Sequence, residues 1–103
     1  MRLFMQYAII SQDTENSLPK RKLARAAHVA RLTALKNQGR LTLAGPHPSI
    51  DCEDPGEAGF SGSLVVAEFN TLSDAQQWAD DDPYSIAGVY QNVTVKPFKK
   101  VLP

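Results

Sequence analysis

A chain of 103 residues has the length of one domain, and its 43% hydrophobic and 21% charged content is that of an ordinary globular fold. Eleven basic residues balance eleven acidic ones, so the chain lacks the basic excess with which nucleic-acid binders displace counterions. No apolar run approaches the roughly 18 residues that span a bilayer, so neither nucleic acid nor membrane is expected as a partner.

One cysteine, Cys52, rules out an intramolecular disulfide and fits a reduced, cytoplasmic setting. The opening MRLFMQYAII carries one basic residue and runs into polar SQDTEN without a small-residue cleavage site, unlike a signal peptide. Leu3 to Ile10 is aromatic and branched, polar only at Gln6, and predicts a strand apolar on both faces. SQDTENS reads as a loop with several candidate helix caps. From Pro19 to Gln38 the spacing predicts a helix whose apolar stripe is Leu23, Ala27, Ala30 and Ala34, flanked by Leu35. Arg21, Lys22, Arg25 and Lys36 lie mostly off that stripe, and Gly39 closes the helix.

Leu41 and Leu43 alternate with polar positions in a second strand that Gly45-Pro46 and Pro48 stop. The acidic, turn-rich DCEDPGEAGF leads to a third strand, GSLVVAEFN. Thr71 or Ser73 caps a short second helix through Trp78 and Ala79. DPYSIAGVY is a turn with room for one helical turn, and NVTVKPF is the last strand, with Val93 and Val95 on one face. The order strand, helix, strand, strand, helix, strand predicts one α+β domain over residues 1–103 with the ferredoxin-like βαββαβ arrangement. Its four-stranded antiparallel sheet carries two helices on one face. The first and third strands are apolar on both faces, so a second copy of the chain is expected to cover the other face as a homodimer.

Two histidines and three consecutive aspartates are the main chemical features. His28 stands one turn after Ala24 and one turn before Leu32, at the edge of the expected stripe, whereas His47 sits in the rigid GPHPS loop. In WADDDPY, Asp82 precedes Pro83 and is pushed out of the helical region, so the helix ends and Asp82 is held in a turn. Asp80 and Asp81 have no such constraint and are expected in solvent. In this topology the loop after the second helix can approach the first helix. Asp82 could then accept a hydrogen bond from His28, a general acid/base arrangement. His47, Asp51 and Cys52 fit no standard zinc spacing, and the acidic neighbours of Cys52 disfavour a thiolate nucleophile. There is no phosphate-cradling loop, dinucleotide fingerprint or nucleophile elbow. Neither a metal nor an organic cofactor is expected.

The motifs RAAHVARL, GRLTLAGPHP, GEAGFSGSLVVAEF, DDPYSIAGVY and VKPFKKV, in this order, resemble the YciI-like family of the dimeric α/β-barrel, ferredoxin-like group, across nearly the whole chain. The resemblance implies an active site centred on a histidine and an aspartate, which fall on His28 and Asp82. It also implies pocket walls at Gly45, Pro46 and Ser63. The implied chemistry is proton transfer of the lyase, isomerase or dehydrochlorinase type on a small cyclic or aromatic substrate. Tyr7, Phe60, Tyr84 and Phe98 are the aromatic candidates for the pocket, Tyr84 and Phe98 as substrate contacts, and Lys96 is a candidate for attracting an anion. The competing expectation is a small-molecule-binding accessory protein with the same pocket and no chemistry.

Overall fold

A computed structural model describes residues 4–103, in the order β1 (Met5–Asp13), α1 (Leu18–Asn37), β2 (Leu41–Pro48), β3 (Phe60–Phe69), α2 (Leu72–Asp80), α3 (Pro83–Ile86) and β4 (Tyr90–Phe98). A single 3-10 turn, Gly56–Ala58, lies between β2 and β3. The sheet runs β2-β3-β1-β4 with every neighbouring pair antiparallel. With α1 and α2 as the two main helices, this is a ferredoxin-like α+β fold. No helix among the described residues is long and apolar enough to cross a membrane.

Three features differ from those expected. The reading of Leu3 as the first strand residue lies outside the described residues, but the far end of β1 runs beyond Ile10 to Asp13. Ser11 and Gln12 pair with both neighbouring strands, and Ser11 and Asp13 are buried. A polar sequence reads as loop, yet here Asp13 is satisfied inside the protein by Arg21 and Ser17, while Gln12 is exposed. β2 does not stop at Gly45-Pro46 but continues to Pro48. It is an edge strand, where a proline need not donate to a neighbour.

The third difference concerns which face of α1 is buried. Leu23 is 89% exposed, and Ala27, Ala30 and Ala34 are exposed as well. The buried residues are Arg21, His28 and Leu35, spaced by two helical turns each. Two polar side chains on the inner face masked the apolar pattern, and their partners, in the sheet for Arg21 and at the start of α3 for His28, fix the rotation of the helix. Leu35 joins Tyr7, Ile9, Val65, Ala67, Phe69, Ala75 and Ala79 in the core. Thr71 caps α2 by accepting a hydrogen bond from the Asp74 N–H at 3.0 Å.

Side chains alternate across the sheet. Ser63, Val65, Ala67 and Phe69 of β3 face the helices, while Leu64, Val66 and Glu68 face the other side. The register gives that second face Ala8 and Ile10 from β1, Leu43 from β2, and Lys96 and Phe98 from β4. Among the described residues no element covers it, and Ile10, Leu43 and Phe98 are exposed there.

Candidate active site between α1 and the β2–β3 edge

Pro83 fixes the start of α3, and Asp82 sits before it in extended geometry at φ −60°, ψ 130°. From there its Oδ1 accepts the Tyr84 N–H at 2.9 Å and lies 2.8 Å from Nδ1 of His28. Both side chains are buried. An ionised carboxylate only accepts, so Nδ1 carries the proton in this pair and the lone pair of a neutral ring is on Nε2. The Tyr84 ring stacks on the imidazole at 3.9 Å between centroids, tilted by 11°. The Arg31 Nη1 donates to the Trp78 carbonyl at 2.9 Å and ties α1 to the end of α2. The imidazole is thereby held by one hydrogen bond and one ring face.

A second cluster lies two turns earlier on α1. Arg21 donates from Nε to Asp13 Oδ2 at 2.6 Å and from Nη2 to Asp13 Oδ1 at 2.9 Å, a forked pair. Nη2 also reaches the Gly62 carbonyl and the Ser63 hydroxyl, each at 2.9 Å. Ser17 donates to Asp13 Oδ2 at 2.5 Å. The guanidinium lies 5.0 Å from the Tyr84 ring centroid and 5.3 Å from that of Phe60. Gly62 is required at its place, because a Cβ there would overlap the Ser11 carbonyl oxygen.

Burial by itself would lower the Arg21 pKa, but the hydrogen bond and charge of Asp13 outweigh it and leave it raised. Arg21 is therefore a permanent cation. Burial pushes the Tyr90 phenol up to about 12, against an opposing hydrogen bond from Ser63. Tyr84 is raised by the same cause, which the charges of Arg21 and Arg25 only partly offset. Both phenols are neutral near pH 7.

These residues meet a cleft of about 430 Å³ between α1 and the β2–β3 edge. Of the residues expected at the site, His28, Gly45, Pro46, Ser63 and Tyr84 line it, and Asp82 stands behind His28. Phe60 lines it too. Phe98 does not. It pairs with Gln6 near the end of β4, on the sheet face away from the helices, because β4 alternates and Val93 and Val95 take the inner side. Lys96, opposite Ala8, shares that outer face, and Tyr7 is part of the core. Asp80 and Asp81 are exposed and accept hydrogen bonds from Gln76 and Gln77. His47 is exposed on β2, and Cys52 is exposed and donates to the Asp54 carbonyl. Among the described residues, no three His, Cys, Asp or Glu side chains are grouped to hold a metal ion.

Asp13, Ser17, Arg21, Arg25 and Tyr90 were not singled out from sequence. One signal was available: Arg21 lies two turns before His28, so whatever face buries the histidine also buries the arginine.

Comparison with known proteins agrees with this fold. A profile of the YCII-related domain matches residues 5–99. Protein YciI of Escherichia coli is 59% identical over 97 residues, covering 94% of this chain and 99% of that protein. An uncharacterized protein of Haemophilus influenzae is 55% identical over the same shares of both chains. Among solved structures, 5-chloro-2-hydroxyhydroquinone dehydrochlorinase from Burkholderia phenoliruptrix, in complex with 2,5-dihydroxybenzoquinone, superposes with a TM-score of 0.81. It is 25% identical and is matched over 92% of this chain and 94% of its own.

Proposed function

The chain belongs to the YCII-related family, and from that premise we propose that it is a small enzyme moving a proton on a cyclic or aromatic metabolite. His28 is the acid/base and Asp82 its positioning partner. The observation that carries this reading is the 2.8 Å contact between Asp82 Oδ1 and His28 Nδ1 at the wall of the cleft. With Nδ1 committed to the carboxylate, Nε2 is the nitrogen left to take a substrate proton. The imidazolium that forms is stabilised by Asp82, whose geometry the Tyr84 N–H already fixes. The fit to a dehydrochlorinase that binds a dihydroxybenzoquinone supports a small ring as substrate.

Two outcomes are open to a substrate held this way. In an isomerisation, the proton taken by Nε2 returns to a different atom of the ring. In an elimination, the electron pair released with the proton forms the new double bond, and a leaving group such as chloride departs with its own pair. The net loss is then one proton and one chloride, and no oxidant or reductant is consumed. The apolar part of the lining, with Val29, Leu32 and Val65, limits competing water.

Two copies pack their open sheet faces together in this proposal, in a reduced compartment such as the cytoplasm. The exposed Ile10, Leu43 and Phe98 on one continuous face support the pairing.

The test is a turnover screen of catechol-, lactone- and haloquinol-type compounds with the wild type, His28→Ala, Asp82→Asn and Asp81→Asn. His28→Ala should lower turnover by about 10²-fold or more. Asp82→Asn, which keeps shape but loses the charge, should also lower it, and Asp81→Asn should not. Turnover that survives His28→Ala refutes the reading. Saturable binding without turnover of any compound assigns the cleft to a binding protein.

A further inference from the structure

We infer that the cleft selects a small organic anion and that Arg25 is the substrate-binding residue that selects it, an inference resting on the proton-transfer reading above. The cleft wall contains three cations, Arg21, Lys22 and Arg25, and no aspartate or glutamate. The nearby carboxylates lie behind this wall and are committed, Asp13 to Arg21 and Asp82 to His28. Arg21 is committed as well, since its Nε and Nη2 hold Asp13, the Gly62 carbonyl and Ser63. Arg25 and Lys22 have no ion-pair partner among the described residues. On a chain of zero net formal charge, this is a local excess of positive charge at a concave, partly apolar surface, where the field is focused rather than dispersed.

Exposed helix charges usually do no more than solvate a face, so the position of Arg25 is what distinguishes it. It stands four residues after Arg21 and three before His28, on the face that meets the cleft. Residues so spaced on a helix are roughly 5–6 Å apart at Cβ, within the width of one small ring. An anionic group held by Arg25 therefore sets a carbon of the same ring before His28. The planar guanidinium can grip a carboxylate, or two adjacent ring oxygens, with two parallel hydrogen bonds, which an ammonium cannot. The charge of Arg25 already acts on Tyr84, the ring stacked on His28, so the cation and the acid/base share one environment. Lys22, further along the rim, adds attraction without that geometry.

The probes are benzoate and 4-hydroxybenzoate against benzamide and 4-hydroxybenzamide, followed by NMR of the His28 ring in the full chain. The carboxylates should shift the ring signals saturably, and the neutral amides should bind several-fold more weakly. Arg25→Gln should weaken the carboxylates roughly fivefold, the effect of losing a partly exposed charge contact, and leave the amides unchanged. Arg25→Lys should recover part of the loss, and Lys99→Gln, on the exposed tail, should change nothing. Among the described residues Arg25 makes no side-chain hydrogen bond that the fold needs, and circular dichroism of each variant checks this. Equal binding of acids and amides, an unchanged carboxylate affinity in Arg25→Gln, or no His28 shift with either carboxylate overturns the inference. Turnover that needs His28 but runs equally on neutral rings overturns it while leaving the proton transfer standing. Carboxylate-selective binding without any turnover does the reverse.

Discussion

Asp13 and Asp82 are both buried carboxylates, 8% and 4% exposed, yet each meets a different kind of partner. Asp13 faces a permanent cation through two hydrogen bonds and accepts a third from Ser17. A buried pair of this kind is held by mutual need, because losing one member strands the other's charge at a cost of about 3–5 kcal/mol. Asp82 faces the imidazole of His28 and the Tyr84 N–H, and in the proposed reaction its charge stabilises the protonated ring. The tyrosines behind them give the fold an alkaline limit. Tyr90 is held protonated up to about 12 against 10.0 for the free phenol. Between these values the native chain keeps a proton that the unfolded chain has lost. Stability is thus fully present below pH 10 and declines as pH rises toward about 12. Tyr84 is shifted in the same direction. Urea midpoints measured from about pH 9 to about pH 12 should show this decline, and it should be shallower in Tyr90→Phe. An equally steep fall in that variant would assign it to other groups.

The elements differ in how plainly their residues announce them. β3 and β4 were legible because branched residues alternate or run together between turn residues, and α2 because Thr71 caps it. The turn that presents Asp82 was legible as well, since proline restricts the residue before it whatever the tertiary context. α1 was legible as a helix but not in its rotation. A periodicity that counts only apolar residues assigns Leu23, Ala27, Ala30 and Ala34 inward, whereas the protein buries Arg21 and His28 against carboxylates that the sequence places far away or in apparent loop. The same blindness shortened β1 and hid Asp13. Stability measurements separate the two rotations. Leu35→Ala removes a side chain 3% exposed and should cost about 2–5 kcal/mol. Leu23→Ala should change stability by less than about 0.5 kcal/mol. If the costs are reversed in urea titrations, the helix is turned the other way.

On the scale of the whole molecule, the sheet separates two faces, and the proposed reading gives each its own task. The cleft opens on the helix side, and the uncovered apolar face is on the other, so two copies can pair without closing either cleft. Light scattering at micromolar concentration should give about twice the 11.3 kDa chain mass, and Ile10→Asp with Phe98→Asp should return it to one. A clean wild-type monomer would leave the apolar face unexplained. The alternation along β3 carries one more consequence, for how such a chain can change over generations. Ser63 and Val65 belong to the cleft side while Leu64 and Val66, interleaved with them, belong to the other. A point substitution in this strand touches only one of the two faces, so the cleft wall and the proposed pairing surface can drift independently. An insertion or deletion of a single residue exchanges the two sets at a stroke. Descendants of this strand should therefore vary in letters and hold constant in length.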